Sequence, residues 1–181
     1  VYTGKIEPER NPLTFAVYVL FFPQLIVGPI VKYREMADQL HDSKNRCTME
    51  KAQRGAELFV FGLAKKVILA DSIGALWTEV QTLGFSQVST PLAWMGIIAY
   101  SFQIYFDFSG YTDMALGVGK LLGFDLAENF RWPLAARTLT DFWRRWHITL
   151  GWWFRDHLYR PLVRAAGGKR TGCLLLVWLL V

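Results

Sequence analysis

From Leu13 to Val31 the chain runs through 19 consecutive residues that carry no charge. As a helix rising about 1.5 Å per residue, that run is about 28 Å long and just spans a hydrocarbon core. Pro23, Gly28 and Pro29 interrupt it. Bundled membrane helices tolerate such breaks where neighbours satisfy the freed backbone groups. The alternative is a buried helix of a large soluble protein. A second uncharged run, Leu92–Phe106, reaches spanning length only by continuing through Asp107 and Asp113 to Gly119. A third, 58–76, is broken by Lys65, Lys66 and Asp71 and reads as partly interfacial, with the lysines snorkelling toward head groups. A fourth begins at Cys173 and is still apolar at Val181. With Val1 at the other end, this reads as an internal portion of a longer protein.

Composition supports a membrane solvent. The chain is 52% hydrophobic and 15% aromatic, with eight Trp, yet 19% of its residues are charged. That combination is too apolar for an ordinary soluble domain of comparable charge. The charge is segregated rather than scarce. Lys32–Lys66 holds eight Lys/Arg and five Asp/Glu, the stretch 71–91 holds two acids and no base, and Lys120–Arg170 holds ten Lys/Arg against four acids. The positive-inside rule puts the first and third on the cytoplasmic side and the second outside. The predicted fold is therefore all-α: a polytopic transmembrane bundle forming one domain over 1–181. Membrane helices lie at about 13–31, 58–76, 92–119 and from 173 onward. Cytoplasmic or interfacial stretches lie at 32–57 and 120–172. The net charge of +5 reads as topology plus contact with anionic lipid, and no basic stripe suggests nucleic acid. Cys47 and Cys173 stand far apart, with no metal-ligand spacing and no disulfide framework. No signal peptide is visible.

The stretch 120–172 holds the densest chemistry. Glu128–Pro133 reads as a turn before a helix. Thr138-Leu139-Thr140-Asp141 has capping-box spacing, so an aromatic helix is expected from there to just before Gly167-Gly168, with a possible break at Pro161. It has too many charges to span and too many Trp to float in water, which suits an amphipathic interfacial or re-entrant layer. On one continuous helix His147 would share a face with Trp143, Gly151, Phe154 and Leu158. Gly151 would leave room beside the ring for a ligand chain or a neighbouring helix. Asp141 would reach Arg144 and Arg145 one turn on, and Trp146 adjoins the histidine. His147 is thus a candidate base or donor, weighed against a structural histidine that simply hydrogen-bonds at the interface. His157 faces elsewhere, beside Asp156, and His41 lies in a charged loop and reads as solvated.

Asp107 and Asp113 are ionisable residues in an apolar run, where such residues face protein or water rather than lipid. Six residues apart, they diverge by about 120° on a helix, which does not suit a carboxylate dyad sharing a proton. Their bland reading is bonding to backbone or to arginines of the cytoplasmic layer. Ser109, Gly110, Ala115, Gly117 and Gly119 form a small-residue surface fit for close helix packing.

Several stretches follow a familiar order: Phe21–Ile30, Gly62–Val67, Tyr105–Gly117, Glu128-Asn129-Phe130, Asp141–His147 and Trp153–Asp156. Together they resemble the membrane-bound O-acyltransferase family, nearest its alginate-acetylating branch. The resemblance is collinear over almost the whole chain. It implies a multi-pass enzyme of the bacterial inner membrane that transfers an acyl group, here acetyl, to a hydroxyl of an exported polysaccharide. The co-substrate would be a thioester or carrier-linked acyl donor, with no bound cofactor and no metal. Partners would be membrane lipids, the polysaccharide acceptor and periplasmic acetyltransferase proteins. His147 matches the family's Trp-His histidine and is implied to be a supporting active-site residue. The family's main histidine lies on a following apolar helix, beyond Val181, so 1–181 alone is not expected to be a complete enzyme. Asp107, Asp113, Asp141, Arg144, Arg145 and Trp146 are carried as active-site or structural support. Rivals are D-alanyl or other acyl transfer to teichoic acid or peptidoglycan within the family and, outside it, a transporter. No internal repeat supports the transporter.

Overall fold

Helices supply every regular element among the residues that the computed structural model describes, 8–25, 27–41, 48–84 and 87–180. The chain gathers into two units, Val1–Ala127 and Glu128–Val181. The expected all-α class is observed.

In the first unit, α1 (Pro12–Val19) starts where the Asn11 side chain accepts from the Leu13 N–H, 2.9 Å away, with Pro12 preset for the first turn. The single helix expected over 13–31 does not form. Pro23 has no N–H to donate to the Val19 carbonyl, and its ring would clash there, so the helix stops and restarts as the short α2 (Phe22–Leu25). Ile26 lies outside the described residues, and the chain from Val27 to Lys32 is non-helical. The amphipathic α3 (Tyr33–His41) buries Met36 and Leu40 against Phe21, with Tyr18, Phe124 and Leu126 packed around them.

The helix expected over 58–76 is longer than its apolar core. It starts at Thr48, whose hydroxyl caps the Lys51 N–H, and is helical from α4 (Met49–Ala64) through a π-helical segment (Lys65–Ala70) to α5 (Asp71–Leu83). At its exit the Asp71 N–H bonds the Lys66 carbonyl, five residues back. Helix α6 (Thr90–Leu121) has 32 residues and runs antiparallel to α4. Two glycine pairs set how closely they approach. A Cβ on Gly62 would lie 2.5 Å from the Gly110 carbonyl oxygen, and one on Gly55 would lie 2.8 Å from that of Gly117. Gly110 and Gly117 of the small-residue surface read from the sequence make this contact, Ser109 and Ala115 are also buried, and Gly119 is buried against Leu126.

Large apolar side chains remain exposed on these helices, among them Phe61 and Ile68, and Trp94, Ile97 and Ile98 on α6. Among the described residues, no helix is both long and apolar enough to cross a membrane.

In the second unit a 3-10 turn (Pro133–Ala135) precedes α7 (Leu139–Arg145). The Thr138 hydroxyl accepts from the Asp141 N–H at 3.1 Å, as the capping pattern predicted. The helix expected to run on through His147 instead ends at Arg145. It resumes as α8 (Ile148–Phe154), a π-helical segment (Arg155–Tyr159) and α9 (Arg160–Ala165). Pro161 does not break it. Its ring would crowd the carbonyl four residues back, and the π turn just before it, in which the Arg160 N–H bonds the Arg155 carbonyl, loosens that register. Gly167 and Gly168, at φ +60° and +91°, end the helix as expected. Helix α10 (Arg170–Leu180) follows, with Cys173 buried as a free thiol. Cys47 lies outside the described residues.

Candidate functional site

His147 sits not within a helix but at the break between α7 and α8. Its backbone is left-handed, at φ +41° and ψ +58°, a region that non-glycine residues adopt rarely and at a cost of about 1–3 kcal/mol unless the surroundings enforce it. Here the surroundings do. The preceding segment clamps both sides of Trp146-His147: the Arg131 N–H donates to the Arg145 carbonyl at 2.9 Å, and the Ile148 N–H donates to the Asn129 carbonyl at 3.0 Å. Between those bonds, the Phe130 ring meets Trp146 edge-on at 5.0 Å and lies nearly parallel to the His147 ring at 6.5 Å, 17° between planes.

The position before α8 would ordinarily cap its first amides, but the His147 side chain does not. Asn129 does so from 18 residues upstream. Its Oδ1 accepts from the Thr149 N–H at 3.2 Å and from the Thr149 hydroxyl at 2.6 Å. Asn129 and Thr149 are both almost fully buried. Because a backbone N–H can only donate, the oxygen of the Asn129 amide must face Thr149. The opposite Nδ2 is buried with no acceptor among the described residues.

The break opens a cavity of about 190 Å³, lined by Trp143 of α7, Trp146 and His147, Leu150, Gly151 and Phe154 of α8, and Leu174, Val177 and Trp178 of α10. Trp178 meets Trp143 edge-on at 4.9 Å. Four of the five residues grouped on one helical face are thus neighbours, but through the bend rather than through helical spacing; Leu158 is not among the lining. Burial pushes the imidazole below its ordinary pKa of 6.5, so the ring is neutral at pH 7. A neutral imidazole both accepts and donates a proton. It stands here at the wall of an apolar hollow.

The charged neighbours divide. Asp141 pairs with Arg145, 2.9 Å from its Nε, and that guanidinium holds the Asp141 carboxyl below its usual range; Arg144 contributes only at longer range. His157 stacks on Trp153 at 4.9 Å, its Nδ1 3.0 Å from the Trp153 carbonyl. His41, read as solvated, lies 3.0 Å from Glu9, which also accepts from the Tyr33 hydroxyl.

In the first unit, the partners of Asp107 and Asp113 among the described residues are lysines rather than backbone or arginine. Lys65 lies 2.5 Å from Asp113, and Lys66 lies 2.7 Å from Asp107 and 2.8 Å from Asp71. The Lys65–Asp113 pair is partly buried, whereas Lys66 and its two carboxylates are more exposed; both lysines meet α6 because the π segment lies against it. Separate lysine partners agree with the sequence argument against a carboxylate dyad. Among the described residues no group of three or more His, Cys, Asp or Glu could hold a metal ion.

The capping role of Asn129 is not legible in the sequence, where Glu128–Pro133 reads as a turn and Glu128-Asn129-Phe130 as one of the family-like stretches, with no role given to the asparagine. An asparagine is a good cap, but nothing in linear spacing links it to a helix that begins 19 residues later.

The family model of membrane-bound O-acyltransferases matches residues 9–181. The chain is 43% identical over 169 residues to the probable alginate O-acetylase AlgI of Pseudomonas syringae, covering 93% of this chain and 32% of that protein. It is 43% identical over 164 residues to the peptidoglycan O-acetyltransferase of Helicobacter pylori, covering 88% and 29%. To the teichoic acid D-alanyltransferase of Bacillus subtilis it is 32% identical over 161 residues, covering 86% and 40%. The chain spans about a third of the length of the curated relatives it matches. With the family model covering all but its first eight residues, the chain belongs to the membrane-bound O-acyltransferase family.

Proposed function

We propose that this chain supplies the Trp-His part of the active site of a multi-pass bacterial inner-membrane enzyme that moves an acetyl group from a thioester or carrier-linked donor to a hydroxyl of an exported polysaccharide. The observation that carries this reading is His147, held in a rare backbone state at the wall of the aromatic cavity. An acetyl carbonyl fits that hollow. The imidazole accepts the acceptor hydroxyl's proton as the oxygen attacks the carbonyl carbon, or passes it to a second base. Collapse of the tetrahedral oxyanion then expels the thiolate, which takes the proton back. His147 supports this chemistry beside the family's second histidine.

Alginate is the favoured acceptor, because relatives named for alginate align over 93% and 96% of the chain, against 88% for the peptidoglycan enzyme. D-alanyl transfer to teichoic acid is the second reading, favoured by the Bacillus subtilis relative at 32% identity. Acetyl and D-alanyl content of the cell's exported polymers separates the two. The membrane reading draws support from the many large apolar side chains left exposed on these helices, Phe61, Ile68, Trp94 and Ile97 among them. It puts 32–57 and 120–172 on the cytoplasmic side, with periplasmic acetyltransferase partners across the membrane. Cysteine labelling in intact cells tests the topology, and labelling at position 44 or 169 from the periplasmic side overturns it.

The test of function is His147→Ala in the full-length protein, read as acetyl content of secreted polymer per enzyme in the membrane fraction. We expect acetylation to fall at least about tenfold with insertion intact, in the range ascribed to losing a positioned acid–base group. Near-wild-type acetylation overturns the reading of His147.

A further inference from the structure

We infer that Asn129 is the positioning residue of this site: it performs the helix capping at the position His147 occupies, holds the left-handed backbone there and so fixes where the imidazole stands. The inference rests on the reading of His147 given above and deepens it. A residue preceding a helix normally turns its side chain back onto the amides of the first turn. An imidazole committed to that task would be held against α8. The Asn129 amide oxygen instead takes both the N–H and the hydroxyl of Thr149, while its own carbonyl takes the Ile148 N–H. Both amides that open α8 are thereby satisfied by one residue from another segment. With the Arg131–Arg145 bond on the far side, the clamp over-determines the left-handed backbone at His147 and fixes where its ring stands.

Burial makes the arrangement unforgiving. Asn129 is 1% exposed and Thr149 2%, so no water replaces a lost acceptor. Removing the amide lets His147 relax toward ordinary backbone angles and swing its ring. A misplacement of about 1 Å costs about 100-fold in rate. Donor binding depends on the apolar lining, which Asn129 does not join, so the loss falls on turnover and not on donor affinity.

The experiment uses the full-length enzyme in its native membranes with its own partners, acetyl-coenzyme A as the thioester probe and an alginate oligosaccharide as acceptor. Asn129→Ala is expected to lower kcat about 100-fold, with the KM for the thioester within about threefold of wild type. Asn129→Asp keeps an acceptor oxygen for both Thr149 groups and is expected to restore at least about a third of wild-type kcat, since Asp caps about as well as Asn. Wild-type kcat in Asn129→Ala overturns the inference. So does an Asn129→Asp enzyme as slow as the Ala variant, which would assign the effect to the Nδ2 donor. Should Asn129→Ala fail to accumulate, Asn129→Asp decides alone: activity upholds the role and inactivity overturns it. His147→Ala runs beside them. If it too is fully active, the reading of His147 falls and takes the inference with it; if it is inactive while Asn129→Ala is normal, only the positioning role falls.

Discussion

Lys65 reaches across from the π segment to place its ammonium 2.5 Å from Asp113, one turn of α6 beyond the carbonyl of Gly110 that presses on Gly62. Charge pairing and backbone contact thus occupy the same crossing. The Asp113 side chain is 21% exposed and that of Lys65 32%, so the pair is largely sheltered. Removing one partner strands the other, at about 3 kcal/mol. Asp113→Leu is therefore expected to reduce the amount of full-length protein in the membrane fraction. Lys65→Met combined with Asp113→Leu should recover it, because an apolar pair strands no charge. Normal abundance in the single variant with acyl transfer abolished would instead make Asp113 part of the reaction.

How much of this was legible in the sequence follows from what each pattern measures. Local rules held: the Thr138 cap, the Gly167-Gly168 stop and the small-residue face of α6 depend on residues within a turn or two. Patterns of charge and hydropathy failed where a distant partner decides. The partners of Lys65 and Lys66 could not be read from the sequence, because no short window that holds these lysines includes Asp107 and Asp113. Helical spacing grouped His147 with Trp143 and Gly151, yet the left-handed residue that unites them around a cavity is invisible to periodicity, since its cause is Asn129. Pro23, a break that a membrane bundle tolerates, stops α1 at Val19.

The glycine contact gives a sharper test of the crossing than the charges do. A Cβ at Gly62 meets backbone on α6 at 2.5 Å, and backbone cannot swing aside as a side chain can, whereas one at Gly172 in α10 meets nothing within 4 Å. Gly62→Val is expected to destabilise by about 1–3 kcal/mol through overpacking, and Gly172→Val to change little. Thermal aggregation of the detergent-solubilised protein measures both. Equal midpoints for the two variants would refute a tight α4–α6 contact.

Acid acts on His147 in a defined direction. Burial holds its native pKa below the unfolded value of 6.5. Between those two values the unfolded chain binds more protons, so stability rises with pH across that window and falls as pH drops through it. Turnover should follow the neutral fraction, with an acid limb below 6.5. Phe130→Ala uncovers the ring, so water returns and the pKa climbs toward 6.5. The acid limb of the rate profile, measured per membrane-inserted enzyme, is expected to move to higher pH. A limb that stays in place would mean that Phe130 does not shield the ring.

Gly151 poses a question that packing does not answer. It lies inside α8, where glycine costs about 1 kcal/mol relative to alanine. Its φ is not positive. The nearest atom to a built Cβ is the Trp143 carbonyl oxygen at 4.0 Å, so neither conformation nor crowding requires it. It does line the cavity beside His147, and a missing side chain there preserves space for the acyl group. Gly151→Ala is expected to leave abundance unchanged or raised and to retain acetyl transfer, while slowing longer acyl thioesters such as butyryl first. Gly151→Leu projects a branched side chain into the hollow. It should cut acetyl transfer at least about tenfold, the scale on which a pocket senses a few methylenes, with membrane abundance intact. The comparison is initial rate against acyl length for wild type and both variants, normalised to membrane-inserted enzyme. Wild-type acetyl transfer by Gly151→Leu would show that the acyl group lies elsewhere, because that side chain and the substrate cannot share the hollow.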